Sequence, residues 1–234
     1  MADHFVDIYT SKADAYHRMI AVEDYRNQVI QGIERVTPLA GKRILDLGSG
    51  TGRFPLLLRD YDCKVVAVDL YLAMLVEQQR QRTRVSGNWS LAQADMRALP
   101  FTPRWADLVL AGWSIGHMRA WYATDWKVQM GAALDEMQRL VAPGGTLFIF
   151  ETMSTGSYTP APPNAELAEY YQWLETERGF RSHAPIQTDY RFASVDEAVD
   201  FTRFFFGDDL AATIRREGWA ILPEWTGMWT KIVS

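Results

Sequence analysis

Residues 44–52 read ILDLGSGTG: a short apolar run that contains one acid, followed by glycines at three alternate positions, Gly48, Gly50 and Gly52. The run has the length of a β-strand. TGRFPLLLRDY after it reads as the start of a helix, with Pro55 in the first turn, where its missing N–H costs little. Glycines at such a turn let the backbone approach a nucleotide closely. The stretch therefore predicts a nucleotide-binding turn at the carboxyl end of a strand.

Further short apolar runs alternate with helical stretches up to residue 151. The strand-like runs are KVVAVDL, WSLAQAD, ADLVLAGW and TLFIFET. The amphipathic stretch VQMGAALDEMQRLV ends at APGG, where proline cannot continue a helix and glycine supplies a turn. Five strand-like runs separated by helices indicate an α/β, doubly wound fold whose parallel sheet carries helices on both faces. In such sheets ligands bind beyond the carboxyl ends of the strands, where GSGTG lies.

The segments on either side of this core are interpreted as parts of a single domain that spans residues 1–234. Residues 11–36 have the apolar spacing of a helix. Residues 152–190 are predicted to form an insertion over the ligand-binding edge, and IQTDYRFAS at its end is strand-like. Helices are expected in SVDEAVDFTRFFF, where Ser194 and Glu197 have the spacing of a capping box, and in DDLAATIRREG. The closing ILPEWTGMWTKIVS is strand-like, so the tail is expected to complete the far edge of the same sheet.

Composition and charge argue against several classes of function. The 234 residues carry a formal net charge of −5 at pH 7, and a nucleic-acid partner is not expected because a phosphate backbone favours the opposite charge. The first residues, MADHFVDIYT, lack the basic and apolar regions of a signal peptide, and no apolar run reaches the length of a membrane span. These features predict a cytoplasmic protein without membrane contact. The one cysteine, Cys63, and the lack of a Cys/His cluster with zinc-site spacing predict no metal.

The spacing of the glycines narrows the choice of nucleotide. The dinucleotide fingerprint is G-x-G-x-x-G, whereas this chain has G-x-G-x-G, with Arg53 at the position of the fingerprint's third glycine. The Gly-Lys-Ser/Thr ending of a phosphate-binding P-loop is not present either. Asp46 lies two residues before Gly48, and a carboxylate there would repel a pyrophosphate but attract a ligand with a positive centre.

The sequence resembles the class I S-adenosylmethionine-dependent methyltransferases, and among them the type 11 methyltransferases. The matching pieces are ILDLGSGTG, VVAVDL, AQADMRALPF, DLVLAGWSIGH and LVAPGGTLFIFET, in the family's order and spacing, between residues 40 and 151. The resemblance implies a Rossmann-like, mostly parallel seven-stranded sheet with an antiparallel strand near the C-terminus. It implies S-adenosylmethionine as the cofactor and S-adenosylhomocysteine as its product.

The resemblance also implies which residues bind the cofactor. Asp69, at the end of the second strand, would bind the ribose hydroxyls. Asp95 and Met96 would hold the adenine, and Gly112 and Trp113 would face the methyl group. The full set of residues expected at the cofactor is Tyr9, Tyr16, Asp46, Gly48, Gly50, Asp69, Asp95, Met96, Gly112 and Trp113.

The N-terminal segment, residues 1–40, is expected to form a helical lid. Its stretch IYTSKADAYHRM is similar to the family's short tyrosine-bearing segment, which folds over the cofactor. Tyr9 and Tyr16 are the candidate contacts, and the lid is expected to reach as far as about residue 25.

A small organic molecule is the expected methyl acceptor. The fourth strand ends in AGWS, not in the Asn/Asp-Pro-Pro-aromatic signature of the family's adenine-N6 enzymes. The aromatic residues of the insertion favour a covered pocket. The candidate pocket residues are Trp113, His117, Tyr158, His183 and Tyr190.

His117, which follows the fourth strand in GWSIGHM, is the candidate catalytic residue, as a general base or as an orienting group. An O, N or C nucleophile would attack the methyl group in line, and positioning alone can supply roughly 7–11 kcal/mol. Three alternatives stay open: a protein methyltransferase, a module that binds S-adenosylmethionine without catalysis, and a nicotinamide-dependent oxidoreductase. The sequence indicates no oligomeric state.

Overall fold

The sheet that the sequence predicts forms the centre of the computed structural model, which describes residues 4–234. The strands are β1 (Arg43–Leu47), β2 (Lys64–Asp69), β3 (Ser90–Gln93), β4 (Ala106–Gly112), β5 (Val141–Thr155), β6 (Arg181–Ser182), β7 (Ile186–Gln187), β8 (Tyr190–Arg191), β9 (Ile221–Leu222) and β10 (Glu224–Ile232). The helices are α1 (His4–Ser11), α2 (Ala13–Ile20), α3 (Gln28–Glu34), α4 (Arg53–Leu57), α5 (Leu72–Arg84), α6 (His117–Trp121), α7 (Trp126–Leu140), α8 (Ala165–Thr176), α9 (Val195–Phe206) and α10 (Asp208–Glu217).

The order of strands confirms the doubly wound fold. The main sheet runs β3-β2-β1-β4-β5-β10-β6, and β7 pairs with the same side of β10 as β6 does. All pairs among the first five strands are parallel, whereas β10 is antiparallel to β5, β6 and β7. The tail therefore supplies the far edge of the sheet, as predicted. The two short strands β6 and β7 bring the strand count to eight, where seven were expected.

The order of the strands reverses between β1 and β4, and this point locates the ligand site. Chain connections leave β1 towards β2 on one side and reach β4 on the other, so a crevice opens beyond the carboxyl ends of these two strands. The turn that contains Gly48 and the residues after Gly112 meet at this crevice.

Two apolar layers enclose the sheet because alternate side chains of each strand point to opposite faces. In β4, Val109 and Ala111 pack with α7 and α8, whereas Leu108 and Leu110 pack with α3 and α4. All four side chains are fully buried. A strand that is covered on both faces reads as a continuous apolar run, which is why ADLVLAG was recognisable in the sequence.

The predicted helix over residues 11–36 is wrong in its extent. The structure has three helices, α1 to α3, with a break between α2 and α3. In the break, Asp24 and Asn27 adopt positive φ angles of 54° and 55°. The Asp24 carboxylate accepts hydrogen bonds from the amides of Gln28 and Val29, at 2.7 and 2.9 Å, so it caps α3 and starts a new helix.

Of two predictions for the tail, one is wrong and one is confirmed. The single strand expected in IQTDYRFAS is instead two separate two-residue strands, β7 and β8, which pair with different partners. The helix α9 begins as predicted, since the Ser194 hydroxyl accepts a hydrogen bond from the Glu197 amide at 3.1 Å. The Glu197 carboxylate in turn accepts one from the amide of Ala193. Over residues 4–234, no helix combines the length and the apolar character needed to cross a bilayer.

Candidate active site

A cavity of about 320 Å³ lies at the carboxyl ends of β1, β2, β3 and β4, and it is called the strand-end cavity below. Helices α1 and α2 also contribute to its wall. All residues that the sequence placed at the cofactor line this cavity: Tyr9, Tyr16, Asp46, Gly48, Gly50, Asp69, Asp95, Met96, Gly112 and Trp113. The topology thus brings together residues that are up to 104 positions apart, from Tyr9 to Trp113.

Glycine is required at two positions of the wall. Gly48 has a φ of +70°, and a Cβ atom there would lie 2.4 Å from the Cβ of Ser114. At Gly112, an added Cβ would lie 2.4 Å from the Cε2 atom of the Phe54 ring. A side chain at either position would force neighbouring elements apart, so these glycines keep the turn after β1 packed against the end of β4.

Asp46 is a buried carboxyl group at the end of β1 that lines the cavity. Within residues 4–234, neither of its carboxylate oxygens has a hydrogen-bond partner. Burial, and then the nearby Asp69 carboxylate, raise the pKa of Asp46 well above its ordinary value. An ionised carboxylate in this position is stabilised only if a ligand brings positive charge or hydrogen-bond donors.

Asp69 is held in place by backbone amides. It accepts hydrogen bonds from the amides of Gly50 and Tyr71, each at 2.8 Å. Burial nevertheless raises the pKa of Asp69 to about 6, against the lowering effect of these amides. The carboxylate therefore joins the turn after β1 to the start of α5 and faces the same cavity as Asp46.

Asp95 is in a different electrostatic environment. The Arg97 guanidinium binds both of its oxygens at 2.6–3.1 Å and holds the pKa of Asp95 below its ordinary value. Met96, the next residue, reaches the glycine turn, because its Cε atom would lie 3.2 Å from a Cβ at Gly48. The third strand thus ends in an ionised carboxylate beside an apolar side chain.

Arg53 is a functional candidate that sequence reasoning missed. It lines the strand-end cavity, and its guanidinium carbon lies 4.0 Å from the centroid of the Trp113 ring. One of its nitrogens, Nη2, forms a salt bridge with Glu23, whose side chain is almost fully buried. The sequence signal was present, since Arg53 replaces the third glycine of the dinucleotide fingerprint, but its partner lies 30 residues away and no local pattern connects the two.

The N-terminal helices contact α6, the helix that follows the fourth strand. Tyr9, which is buried, has its hydroxyl 2.8 Å from Nε2 of His117, the first residue of α6. The Tyr9 ring also lies edge-on to the Tyr16 ring, with centroids 5.6 Å apart. The described part of the predicted lid thus touches the predicted catalytic residue directly, whereas residues 1–3 of that lid lie outside the described residues.

A larger cavity of about 820 Å³ adjoins the first, and it is called the adjoining cavity below. Its wall includes Glu151, Tyr171, Tyr190 and some of the residues between 154 and 167. Glu151 is buried at the cavity edge and accepts a hydrogen bond from the Gly116 amide at 2.8 Å, and burial raises its pKa to about 8. The residues that line both cavities, called the junction residues, are Tyr9, Tyr16, Ile20, Arg53, Trp113, His117 and Trp121.

Two of the predicted pocket residues lie outside both cavities. Tyr158 is 72% exposed, and its hydroxyl accepts a hydrogen bond from Nε1 of Trp219 at 2.9 Å. His183 is 2.8 Å from the hydroxyl of Thr230 through Nε2. Thr230 lies in β10 three residues from Gly227, whose partner Glu151 lines the adjoining cavity, and this spacing corresponds to about 10 Å at 3.3 Å per residue. The other three, Trp113, His117 and Tyr190, line the adjoining cavity.

Comparison with known proteins identifies the domain that carries these cavities. Residues 45–149 match the family model described as a methyltransferase domain. These residues form a methyltransferase domain of class I. The fold agrees with this assignment, since 95% of the chain superimposes on 98% of an S-adenosylmethionine-dependent methyltransferase from Aquifex aeolicus, with a TM-score of 0.60 and 15% identity. The whole chain also superimposes on 60% of phosphoethanolamine N-methyltransferase 2 from Haemonchus contortus, with a TM-score of 0.60 and 15% identity.

The named relatives match this chain over only part of their own length. The chain is 30% identical over 153 residues to a malonyl-[acyl-carrier protein] O-methyltransferase from Legionella pneumophila, covering 64% of this chain and 50% of the relative. It is also 30% identical over 145 residues to a demethylmenaquinone methyltransferase from Clavibacter sepedonicus, covering 62% and 55%. The chain thus spans about half the length of the relatives that it matches.

Proposed function

We propose that this protein transfers a methyl group from S-adenosylmethionine to a small organic acceptor, whose attacking atom is O, N or C. The observation that carries the proposal is the Asp46 carboxyl group, which is buried in the cavity wall and has no hydrogen-bond partner among residues 4–234. A ligand with cationic groups supplies what this carboxylate needs. The match of residues 45–149 to a methyltransferase domain supports the same cofactor.

The residues of the strand-end cavity fit this cofactor in chemical type. Asp46 and the backbone at Gly48 and Gly50 would bind its cationic methionine end, and Asp69 would take the ribose hydroxyls. The apolar Met96 side chain and the neighbouring Asp95 would hold the adenine. When bound, the cofactor supplies a methyl group on positively charged sulfur. The protein's task is then to exclude water and to hold the acceptor in line with that group.

Two segments complete the proposed enzyme. Residues 1–40 would act as the lid, because α1 and α2 contribute Tyr9 and Tyr16 to the cavity wall. Residues 152–190 would cover the acceptor, because part of this insertion lines the adjoining cavity. The whole chain, residues 1–234, would then work as one methyltransferase domain.

His117 is proposed to act on the acceptor, since it is a junction residue, as Trp113 is. A hydroxyl or a protonated amine must lose a proton around the time of attack, and a general base is typically worth about 10²–10⁴-fold in rate. For an acceptor without such a proton, His117 would orient the attacking atom instead. The names of the relatives include both O- and C-methyltransferases, so they do not select between these roles.

Calorimetric titration of the purified protein with S-adenosylmethionine, S-adenosylhomocysteine and NAD tests the cofactor. We expect the first two to bind and NAD not to bind. Each hydrogen bond to a charged group is worth about 1.5–3 kcal/mol, so Asp69→Ala should weaken cofactor binding by roughly tenfold or more. Thermal denaturation of the variant serves as the folding control. A preference for NAD, or an unchanged affinity in a folded Asp69→Ala protein, would rule out the proposed binding mode.

A further inference from the structure

Arg53 occupies the junction between the two cavities, and its charge bears on what can be methylated there. Among the described junction residues it alone carries a permanent charge, since the others are four aromatic residues, Ile20 and His117. If the strand-end cavity binds S-adenosylmethionine, as proposed above, the acceptor must reach the methyl group through this junction. Its reacting group would then lie beside a guanidinium.

The hydrogen-bonding capacity of Arg53 is only partly used. The Nη2 atom is paired with the Glu23 carboxylate, and the guanidinium carbon lies over the Trp113 ring. The other terminal nitrogen, Nη1, is buried without a hydrogen-bond partner among residues 4–234. A buried donor without an acceptor is costly. An oxygen atom brought by a ligand would satisfy it, and the guanidinium geometry suits a carboxylate best.

The remaining charges of the adjoining cavity favour an anion as well. A second arginine, Arg119, lines it, and its Nε atom is also buried without a partner in the described chain, while its Nη2 atom pairs with Glu169. Of the acids in the wall, Glu23 is already paired with Arg53. Burial raises the pKa of Glu151 to about 8, so that this group is mainly uncharged at neutral pH. Glu166 is exposed at the rim.

We propose that the methyl acceptor is a carboxylate on a bulky, largely aromatic molecule, and that Arg53 binds the carboxylate at the junction. This inference rests on the proposed function. The aromatic part would lie in the adjoining cavity, whose walls include Tyr171, Phe205 and Phe206. An oxygen lone pair of the carboxylate forms the new O–CH₃ bond while the C–S bond breaks and its electron pair goes to sulfur. The product is a neutral methyl ester, and no proton is transferred.

Because the methyl ester is neutral, it would leave the site more easily than the carboxylate. The ester no longer makes charge-assisted hydrogen bonds to Arg53, and these are roughly twice as strong as neutral ones. Because a carboxylate has no proton to lose, His117 would orient the attacking oxygen through hydrogen bonding and would not act as a base.

Three probes of matched shape test the proposal: 2-naphthoate, 2-naphthamide and 2-naphthylmethylamine, which are anionic, neutral and cationic. Each is titrated into protein saturated with S-adenosylhomocysteine. We expect the naphthoate to bind at least about tenfold more tightly than the amide, and the amine to bind most weakly. A parallel titration of S-adenosylhomocysteine alone tests the cofactor, so failure of the proposed function is seen separately.

Two variants assign the preference to Arg53. In Glu23→Gln the guanidinium is kept and loses its competing partner, so the preference for naphthoate should persist or increase. In the double variant Arg53→Gln/Glu23→Gln both members of this ion pair are replaced by neutral side chains, and the preference for naphthoate over naphthamide should disappear. Incubation of wild-type protein with S-adenosylmethionine and naphthoate should yield the methyl ester, detected by mass spectrometry as a product that base hydrolyses.

Several results would overturn the proposal. They are equal binding of naphthoate and naphthamide to the wild-type protein, no binding of any of the three probes, and a preference that survives in the double variant. A fourth is a loss of S-adenosylhomocysteine affinity in the double variant that equals its loss of naphthoate affinity. That result would assign Arg53 to the cofactor's own carboxylate.

Discussion

Binding of the cofactor should release protons, because burial raises the pKa of two carboxyl groups that the bound cofactor would need in their ionised form. Burial raises the pKa of Asp69 to about 6, and burial together with Asp69 raises that of Asp46 well above its ordinary value. A cationic ligand, and hydroxyl donors to Asp69, favour the carboxylate forms and return both pKa values towards the ordinary range.

The size of the effect follows from these values. With a pKa of about 6, Asp69 is half protonated at pH 6 and would release about half a proton on binding, and Asp46, whose pKa is also raised, would add to this release. Binding affinity rises with pH wherever binding releases protons. For Asp69 alone, the affinity should be about tenfold higher at pH 7 than at pH 5. In energy, a rise of the Asp69 pKa from 3.8 to about 6 corresponds to roughly 3 kcal/mol.

Isothermal titration calorimetry at pH 6 in buffers of unequal ionisation enthalpy measures the number of protons released. Asp69→Asn serves as the matched control, because it preserves the shape of the side chain and removes its titration. The variant should bind more weakly and should release fewer protons than the wild-type protein. Proton uptake, or a binding enthalpy that does not change with the buffer, would refute the electrostatic reasoning about this cavity.

Three further predictions concern other parts of the molecule. Hydrogen exchange of residues 4–25 should slow when the cofactor binds, because α1 and α2 line the cavity; equal exchange with and without cofactor would show that they are not a lid. His117→Ala should lower turnover at least tenfold and affect cofactor affinity less. The loss of turnover should shrink at high pH if His117 is a base, and it should stay constant if His117 orients a carboxylate. Equal turnover of variant and wild type from pH 6 to 9 would show that His117 is a packing residue. Burial raises the pKa of Glu151 to about 8, so the contribution of this group to stability is present below pH 4.5 and is lost as the pH rises through 8. Glu151→Gln should therefore raise the melting temperature relative to wild type at pH 9 but not at pH 5. An equal difference in melting temperature at both pH values would contradict this expectation.

The features that the sequence predicted are those that local patterns encode. The strand β4 is apolar along its whole length because both faces are covered, and the turn after β1 needs glycine because Ser114 packs against Gly48. The start of α9 is encoded by Ser194 and Glu197, which are three residues apart. In each case the signal lies within a few residues of the element that it specifies.

The features that the sequence did not predict depend on contacts between distant segments. The break before α3 depends on Asp24, whose own amide binds the carbonyl oxygens of Thr188 and Asp189 on the far side of the chain. The salt bridge of Arg53 with Glu23 likewise joins the proposed lid to the glycine turn. His183 was expected near the cavity, but its place along the sheet is set by pairing with β10, which neither periodicity nor motif spacing reveals.

The same carboxyl groups that would bind the cofactor lower the stability of the cofactor-free protein at neutral pH. A carboxyl group whose pKa is raised in the folded state favours unfolding once the pH exceeds its ordinary value, because the unfolded chain holds the charge more easily. Asp46 and Asp69 are both in this position. A bound cation removes the cost, so the cofactor should stabilise the fold more at pH 7 than at pH 5. Contacts of the proposed lid, such as that of Tyr9 with His117, lie in the wall of the same cavity. Exclusion of water there strengthens the attraction between the carboxylates and the cofactor, so lid closure and ionisation of the cavity should reinforce each other.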